Sequence, residues 1–127
     1  MPIPPSRIPT ALQNYFRGWV DHDPEAIALT LAEPCVIIES HGPTYRGSAQ
    51  VLRWAEEWFQ SGNTVDRWDI TSVIWEASHS SVEWVFECTV EGTSHSFEGA
   101  STVILDGSRI AYLREYRTTV PVFDAQN

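Results

Sequence analysis

The chain contains no lysine. Its eight basic residues are all arginines and stand against 17 Asp and Glu, a net charge of −9. Nucleic-acid binding rests mainly on neutralising phosphates, so this balance argues against it. It disfavours an anionic membrane surface for the same reason. Cysteine is scarce: Cys35 and Cys88 form neither a disulfide framework nor a metal motif. No apolar stretch approaches membrane-span length. The start, Met1-Pro2-Ile3-Pro4-Pro5, lacks the basic and apolar regions of a secretion signal. A cytoplasmic protein with both thiols reduced is expected. Glycine-rich phosphate loops and a nucleophile elbow are missing too. The four histidines are scattered without metal-ligand spacing. No metal and no cofactor are expected.

What is present is an ordinary globular composition, 43% apolar and 20% charged, which excludes disorder as the default. A chain of 127 residues suits one domain, and folding at this size buries about two thirds of the surface. Residues 1–9 carry four prolines and read as an irregular arm. Residues 10–120 read as the single domain and 121–127 as a tail.

From Thr10, Leu12, Tyr15, Phe16 and Trp19 recur at i, i+3, i+4 and i+7, one face of a helix. Asp23 can cap a second helix with Pro24 in its first turn. That helix carries an apolar stripe of Ile27, Ala28 and Leu31 and ends before Pro34. Residues 35–39 read as a short strand, His41-Gly42-Pro43 as a turn, and Gly47-Ser48 as the entry to a third helix facing inward through Val51, Leu52, Ala55, Trp58 and Phe59. Four strands follow, over 65–75, 82–91, 94–105 and 109–118, separated by turn-forming residues. Helices first and a meander after predict an α+β fold with helices on one face of a curved sheet.

Strand alternation divides 82–91 into two faces. Glu83, Glu87 and Glu91 share one, which must meet water, because unpaired carboxylates are costly to bury. The Trp84, Phe86 and Cys88 face therefore points at the helices. The many large aromatics either fill a solid core or wall an apolar cavity between helices and sheet.

Three stretches together resemble the nuclear-transport-factor-2-like superfamily, and within it the SnoaL-like group with its ketosteroid isomerases, polyketide cyclases and limonene epoxide hydrolases. The first is the helix holding Tyr15, running into Asp21-His22-Asp23-Pro24. The second is Val36 through Gly47, strand, loop and glycine. The third is Phe97-Glu98-Gly99-Ala100-Ser101-Thr102-Val103, followed by Asp106-Gly107-Ser108 and Arg114-Glu115-Tyr116. The resemblance implies a cone-shaped, curved mixed sheet wrapped around three N-terminal helices, the cystatin-like architecture, with a deep pocket. It favours a cavity wall built from Trp19, Trp54, Trp58, Trp84, Phe86, Cys88, Phe97 and Leu113.

The same resemblance supplies candidate catalytic residues. Glu39 matches the general-base position of ketosteroid isomerases, and Tyr15 their hydrogen-bonding tyrosine. A carboxylate among apolar side chains has its pKa raised and can take a proton. A phenol can donate to a developing enolate oxygen. Where those isomerases place a protonated Asp, Ser101 stands here, a weaker donor. Glu115 matches an Asp that limonene epoxide hydrolases place on the last strand, but where they carry an Arg-x-Asp on the strand before, this chain has Trp84-Val85-Phe86-Glu87 and no Arg. An inward Arg117 is expected to pair with Glu115 and lower its pKa. His41 can line the pocket mouth as an acid or base.

Two readings follow. One is a cofactor-free isomerase, cyclase or dehydratase moving protons on a small hydrophobic carbonyl or hydroxyl compound. The other is a non-catalytic module that binds a hydrophobic ligand or serves as a dimeric interaction unit. A homodimer through the outer sheet face (Val85, Ile104, Tyr112, Tyr116) is what the resemblance implies.

Overall fold

The computed structural model describes residues 8–126, so most of the arm expected over 1–9 lies outside the described residues. Helix α1 (Thr10–Val20) buries Leu12, Tyr15, Phe16 and Trp19, the four residues picked out by their spacing. Helix α2 (Pro24–Leu29) starts where expected: the Asp23 carboxylate accepts from the Ala26 amide at 3.1 Å, and Pro24 occupies the first turn. The two helices touch closely at Gly18, where a Cβ would stand 2.7 Å from the Ile27 side chain.

The stripe assigned to α2 runs two residues too far. The helix ends at Leu29, and the Thr30 hydroxyl closes it by donating to the Ile27 carbonyl at 2.7 Å. Leu31 opens strand β1 (Leu31–Ile38) instead. The strand contains Pro34 because its pairing with the last strand is interrupted between Leu31 and Val36. A bulge is one of the few places where a strand tolerates proline. Strand β2 (Thr44–Arg46) forms where the sequence alone suggests loop; it folds back on β1, Tyr45 opposite Ile37.

Helix α3 (Ser48–Gln60) begins after Gly47, whose φ of 85° suits glycine. No side chain of its own caps it. The carboxylate of Glu33, on β1, accepts from the Ser48 amide at 2.7 Å and does so. Four long strands complete the chain: β3 (Thr64–Glu76), β4 (His79–Val90), β5 (Thr93–Asp106) and β6 (Arg109–Arg117). They match the meander read from turn residues.

The six strands form one open sheet in the order β2-β1-β6-β5-β4-β3. Only β1 against β6 is parallel, so the sheet is mixed. The helices cover its inner face, and the core lies between the layers. Val82, Trp84 and Cys88 point into it, while Glu83 on the opposite face is exposed. Among the described residues no helix is long and apolar enough to cross a membrane.

Candidate functional site

Glu39 lies just past the end of β1, and a tight turn fixes its backbone. Its amide donates to the Pro43 carbonyl at 2.9 Å, and its carbonyl accepts from the Gly42 amide at 3.0 Å. The turn returns the chain as β2 and brings Tyr45 beside it. The Tyr45 hydroxyl donates to Glu39 Oε2 at 2.7 Å. The Tyr45 ring lies flat on Trp54 of α3, centroids 4.0 Å apart and planes 6° apart. Glu115 comes from β6, parallel to β1, and opposite Ser101 of β5.

Glu39 and Glu115 both line a cavity of about 50 Å³. Its remaining walls are apolar: Trp19, Trp54, Trp58, Val65, Trp68 and Phe86. Ring planes meet steeply there, Trp19 against Trp54 at 57° and Trp68 against Phe86 at 80°. Among the described residues no arginine or histidine is in the lining. Larger depressions exist elsewhere, including one of about 290 Å³ whose lining includes the charged side chains of Arg67, Glu87, Glu98 and Arg117.

The electrostatics follow from that lining. Among the described residues Glu115 has no ion-pair partner; the pairs are Arg67 with Asp69 at 2.6 Å and with Glu87 at 3.2 Å. Its pKa is pushed up to about 8, first by burial and then by repulsion from Glu39. Glu115 is therefore largely protonated at neutral pH. Glu39 is also raised by burial, but the Tyr45 hydrogen bond and the charge of His41 both act to keep it ionised. Tyr15 is fully buried, and its phenol is raised far above the ordinary range by burial, then by Glu115. The Trp19 indole approaches the Tyr15 oxygen closely enough to favour the ionised form, without completing a hydrogen bond.

The structure brings together most of the residues named from sequence. Glu39, Glu115, Trp19, Trp54, Trp58 and Phe86 meet at one cavity. Tyr15 lies close enough to feel both carboxyls, but its buried hydroxyl is not part of the lining. His41 is exposed on the turn, near enough to Glu39 to act on its charge. The Ser101 hydroxyl is engaged elsewhere: it accepts from Trp84 Nε1 at 2.9 Å.

Two expectations are corrected. Trp84, Cys88, Phe97 and Leu113 do not line the cavity. Trp84 is buried in solid core, laid across Gly99 to reach Ser101, and Leu113 and Cys88 are buried core as well. The Phe97 ring packs against Phe86 and Trp84, and the Arg117 guanidinium covers it at 3.8 Å. That contact also removes the expected Glu115–Arg117 pair. Arg117 shares the inward parity of Glu115, yet it stands where the strand leaves the cup and its side chain is exposed. Three residues were missed: Val65, Trp68 and Tyr45. Trp68 follows an irregularity in β3 between Val65 and Arg67, which breaks simple alternation. Tyr45 sits in a strand of three residues, and the apolar ring two positions before Gly47 was its only signal.

A model of the SnoaL-like domain matches residues 12–113. None of the curated proteins matches the chain. Among solved structures, a protein with a ketosteroid isomerase-like fold from Catenulispora acidiphila, in complex with trimethylamine, is 18% identical with a TM-score of 0.75, and 87% of each chain is covered. An LEH-like epoxide hydrolase from M. tuberculosis is 13% identical with a TM-score of 0.78, covering 87% of this chain and 81% of its own. A structure assigned as a polyketide cyclase from Pseudomonas putida is 17% identical with a TM-score of 0.73, covering 87% and 91%. At these identities the likeness is one of fold. The domain match spans most of the chain, and with the cup-shaped α+β architecture it places this protein in the SnoaL-like family.

Proposed function

We propose that the protein is a cofactor-free proton-transfer catalyst of the isomerase, cyclase or dehydratase kind, acting on a small hydrophobic carbonyl or hydroxyl compound. The observation that carries this reading is Glu115, a carboxyl on an apolar cavity wall that a second carboxyl shares, with no cation in the lining among the described residues. Two acids whose surroundings drive their pKa values apart can act as acid and base in one step.

Glu39 is the base and Glu115 the neutral acid. The Glu39 carboxylate removes a proton from the carbon next to a carbonyl, and the C–H electron pair becomes a C=C bond. Glu115 donates to the carbonyl oxygen as charge develops there. Return of the proton at another carbon isomerises the compound. Expulsion of a β-hydroxyl as water dehydrates it, and attack of the enol carbon on a second carbonyl closes a ring. The neutral donor that Ser101 could not be is supplied from the paired position on the neighbouring strand. Tyr15 supports the site from behind the cavity wall. A volume of about 50 Å³ admits only a few heavy atoms, so it is the reacting end of the compound that enters.

The test needs no known substrate. Deuterium wash-in next to the carbonyl of small ketones, followed by proton NMR in heavy water, reports the abstraction step directly. Exchange is expected in the presence of the protein and is expected to fall by about a hundredfold or more in Glu39→Gln. Its rate should be bell-shaped in pH, with the alkaline limb near 8 where Glu115 loses its proton. Exchange unaffected by Glu39→Gln would end the proposal.

A second reading is a binding module for a small organic cation. It is favoured by the box of indoles with two acids and no basic lining residue, and by the trimethylamine bound to the relative from C. acidiphila. The two readings have opposite pH signatures. Binding of tetramethylammonium, followed by tryptophan fluorescence, should tighten above pH 8 as Glu115 ionises, while proton-transfer activity should fall there. A homodimer through the outer sheet face, with the half-exposed Tyr116 at its centre, completes the proposal; light scattering tests it.

A further inference from the structure

The cavity holds two carboxyls of the same residue type, both raised by burial, and the Glu39 charge raises Glu115 further. Something must decide which keeps the proton. The lining residues do not, since they are apolar around both. One contact is made to Glu39 and not to Glu115: the Tyr45 hydroxyl at 2.7 Å.

We infer that Tyr45 is a positioning residue that assigns the two roles, holding Glu39 as the ionised partner and leaving Glu115 as the protonated one, with Trp54 fixing its ring. This deepens the acid–base reading above and rests on it. The geometry is specific. A phenol donates more strongly to a carboxylate than to a neutral carboxylic acid, so the bond stabilises the charged form of Glu39. It also engages Oε2 alone, which leaves Oε1 as the oxygen available to a ligand. The ring cannot swing away without losing its flat stack on Trp54, 4.0 Å between centroids. Tyr45 itself stays protonated, because its phenol is raised well above its ordinary range by burial and by the Glu39 hydrogen bond.

Other charges around the pair do not supply the same asymmetry. Glu39 feels His41 on its own turn, which is exposed and therefore screened. Glu115 feels Glu39, and Tyr15 on α1 feels both carboxyls from behind. Tyr45 faces Glu57 of α3 as well as Glu115, and both oppose its ionisation.

The test is Tyr45→Phe, which keeps the ring and its stack and removes one oxygen. Protein carrying ¹³C at its glutamate carboxyls is titrated by NMR without ligand, with Glu39→Gln and Glu115→Gln spectra assigning the two signals. The Glu39 midpoint is expected to rise by about one pH unit, the lower end for a hydrogen bond to a charged group, while Glu115 moves by only a few tenths. A Glu39 midpoint that is unchanged or lower would overturn the inference. So would an equal upward move of both signals, which marks a general change in burial. The measurement uses no substrate. A protein that fails the deuterium wash-in but shows the Glu39 shift would lose the catalytic reading and keep this one.

Discussion

Ser101 and Glu115 stand opposite each other on neighbouring strands, on the same inner face of the sheet, and their fates differ. Around Ser101 the cup is solid. The Trp84 indole fills the space over Gly99, and its N–H finds the serine hydroxyl. Around Glu115 the cup is hollow, and the carboxyl meets indole walls and another acid. One polar group is satisfied and inert; the other is left with an unsettled proton. Packing density over a few ångströms separates a structural position from a chemical one. The outside of the sheet shows a third outcome. There Arg67 holds Asp69 and Glu87, and Thr64 and Thr89 donate to Asp66, so those acids are ordinary surface groups.

The contrast between solid and hollow halves can be broken by substitution. The largest effect is expected at Trp84→Ala, which empties solid core and should cost about 3–5 kcal/mol in urea unfolding. Trp58→Ala, at the hollow half, should cost about 1–2 kcal/mol and weaken ligand binding instead. Equal losses at both positions would mean that the two halves pack alike.

Next comes the pH dependence of stability. In the folded state Glu115 keeps its proton up to about 8, whereas in the unfolded chain it sheds it near 4.5. The folded state therefore binds more protons over that interval, and stability falls as pH rises through it. The loss should reach about 2–3 kcal/mol by pH 9, less than a full conversion of the shift because the group touches a cavity that can admit water. Glu115→Gln cannot ionise and should flatten the slope, leaving the variant more stable than wild type at pH 9. Thermal melts across pH check this.

Ser101→Ala orphans the Trp84 indole N–H and should cost about 1–2 kcal/mol without altering the Glu115 titration. The smallest effect belongs to Arg117→Ala. It removes an exposed contact with Phe97, should cost under about 1 kcal/mol, and should leave Glu115 unmoved. A large shift of Glu115 in that variant would restore the ion pair.

Much of the fold was legible because local signals agreed. The α1 face, the Asp23 cap and the meander were each announced by spacing or by turn residues. What failed to show was pairing that only the assembled sheet supplies. Leu31 reads as helix by its distance from Ile27, but Ile110 claims it for β1. Thr44-Tyr45-Arg46 is too short to announce a strand. For the site, the resemblance placed Glu39 and Glu115 and set the Leu113, Glu115 and Arg117 face of the last strand inward. Shared parity says nothing about where a cup ends, so Arg117 was carried inward with Glu115. Whether an aromatic wall is solid or hollow depends on what packs against it in the assembled fold, as with the fully packed Trp84 against the cavity-lining Trp58, and residue type does not encode this.

The protonation state of Glu115 is the most direct test. Infrared difference spectra between wild type and Glu115→Gln isolate its carboxyl stretch across pH. A protonated carboxyl present at pH 7 and lost with a midpoint near 8 is the predicted result. A carboxylate already ionised at pH 7, with a midpoint in the ordinary range near 4.5, would contradict it.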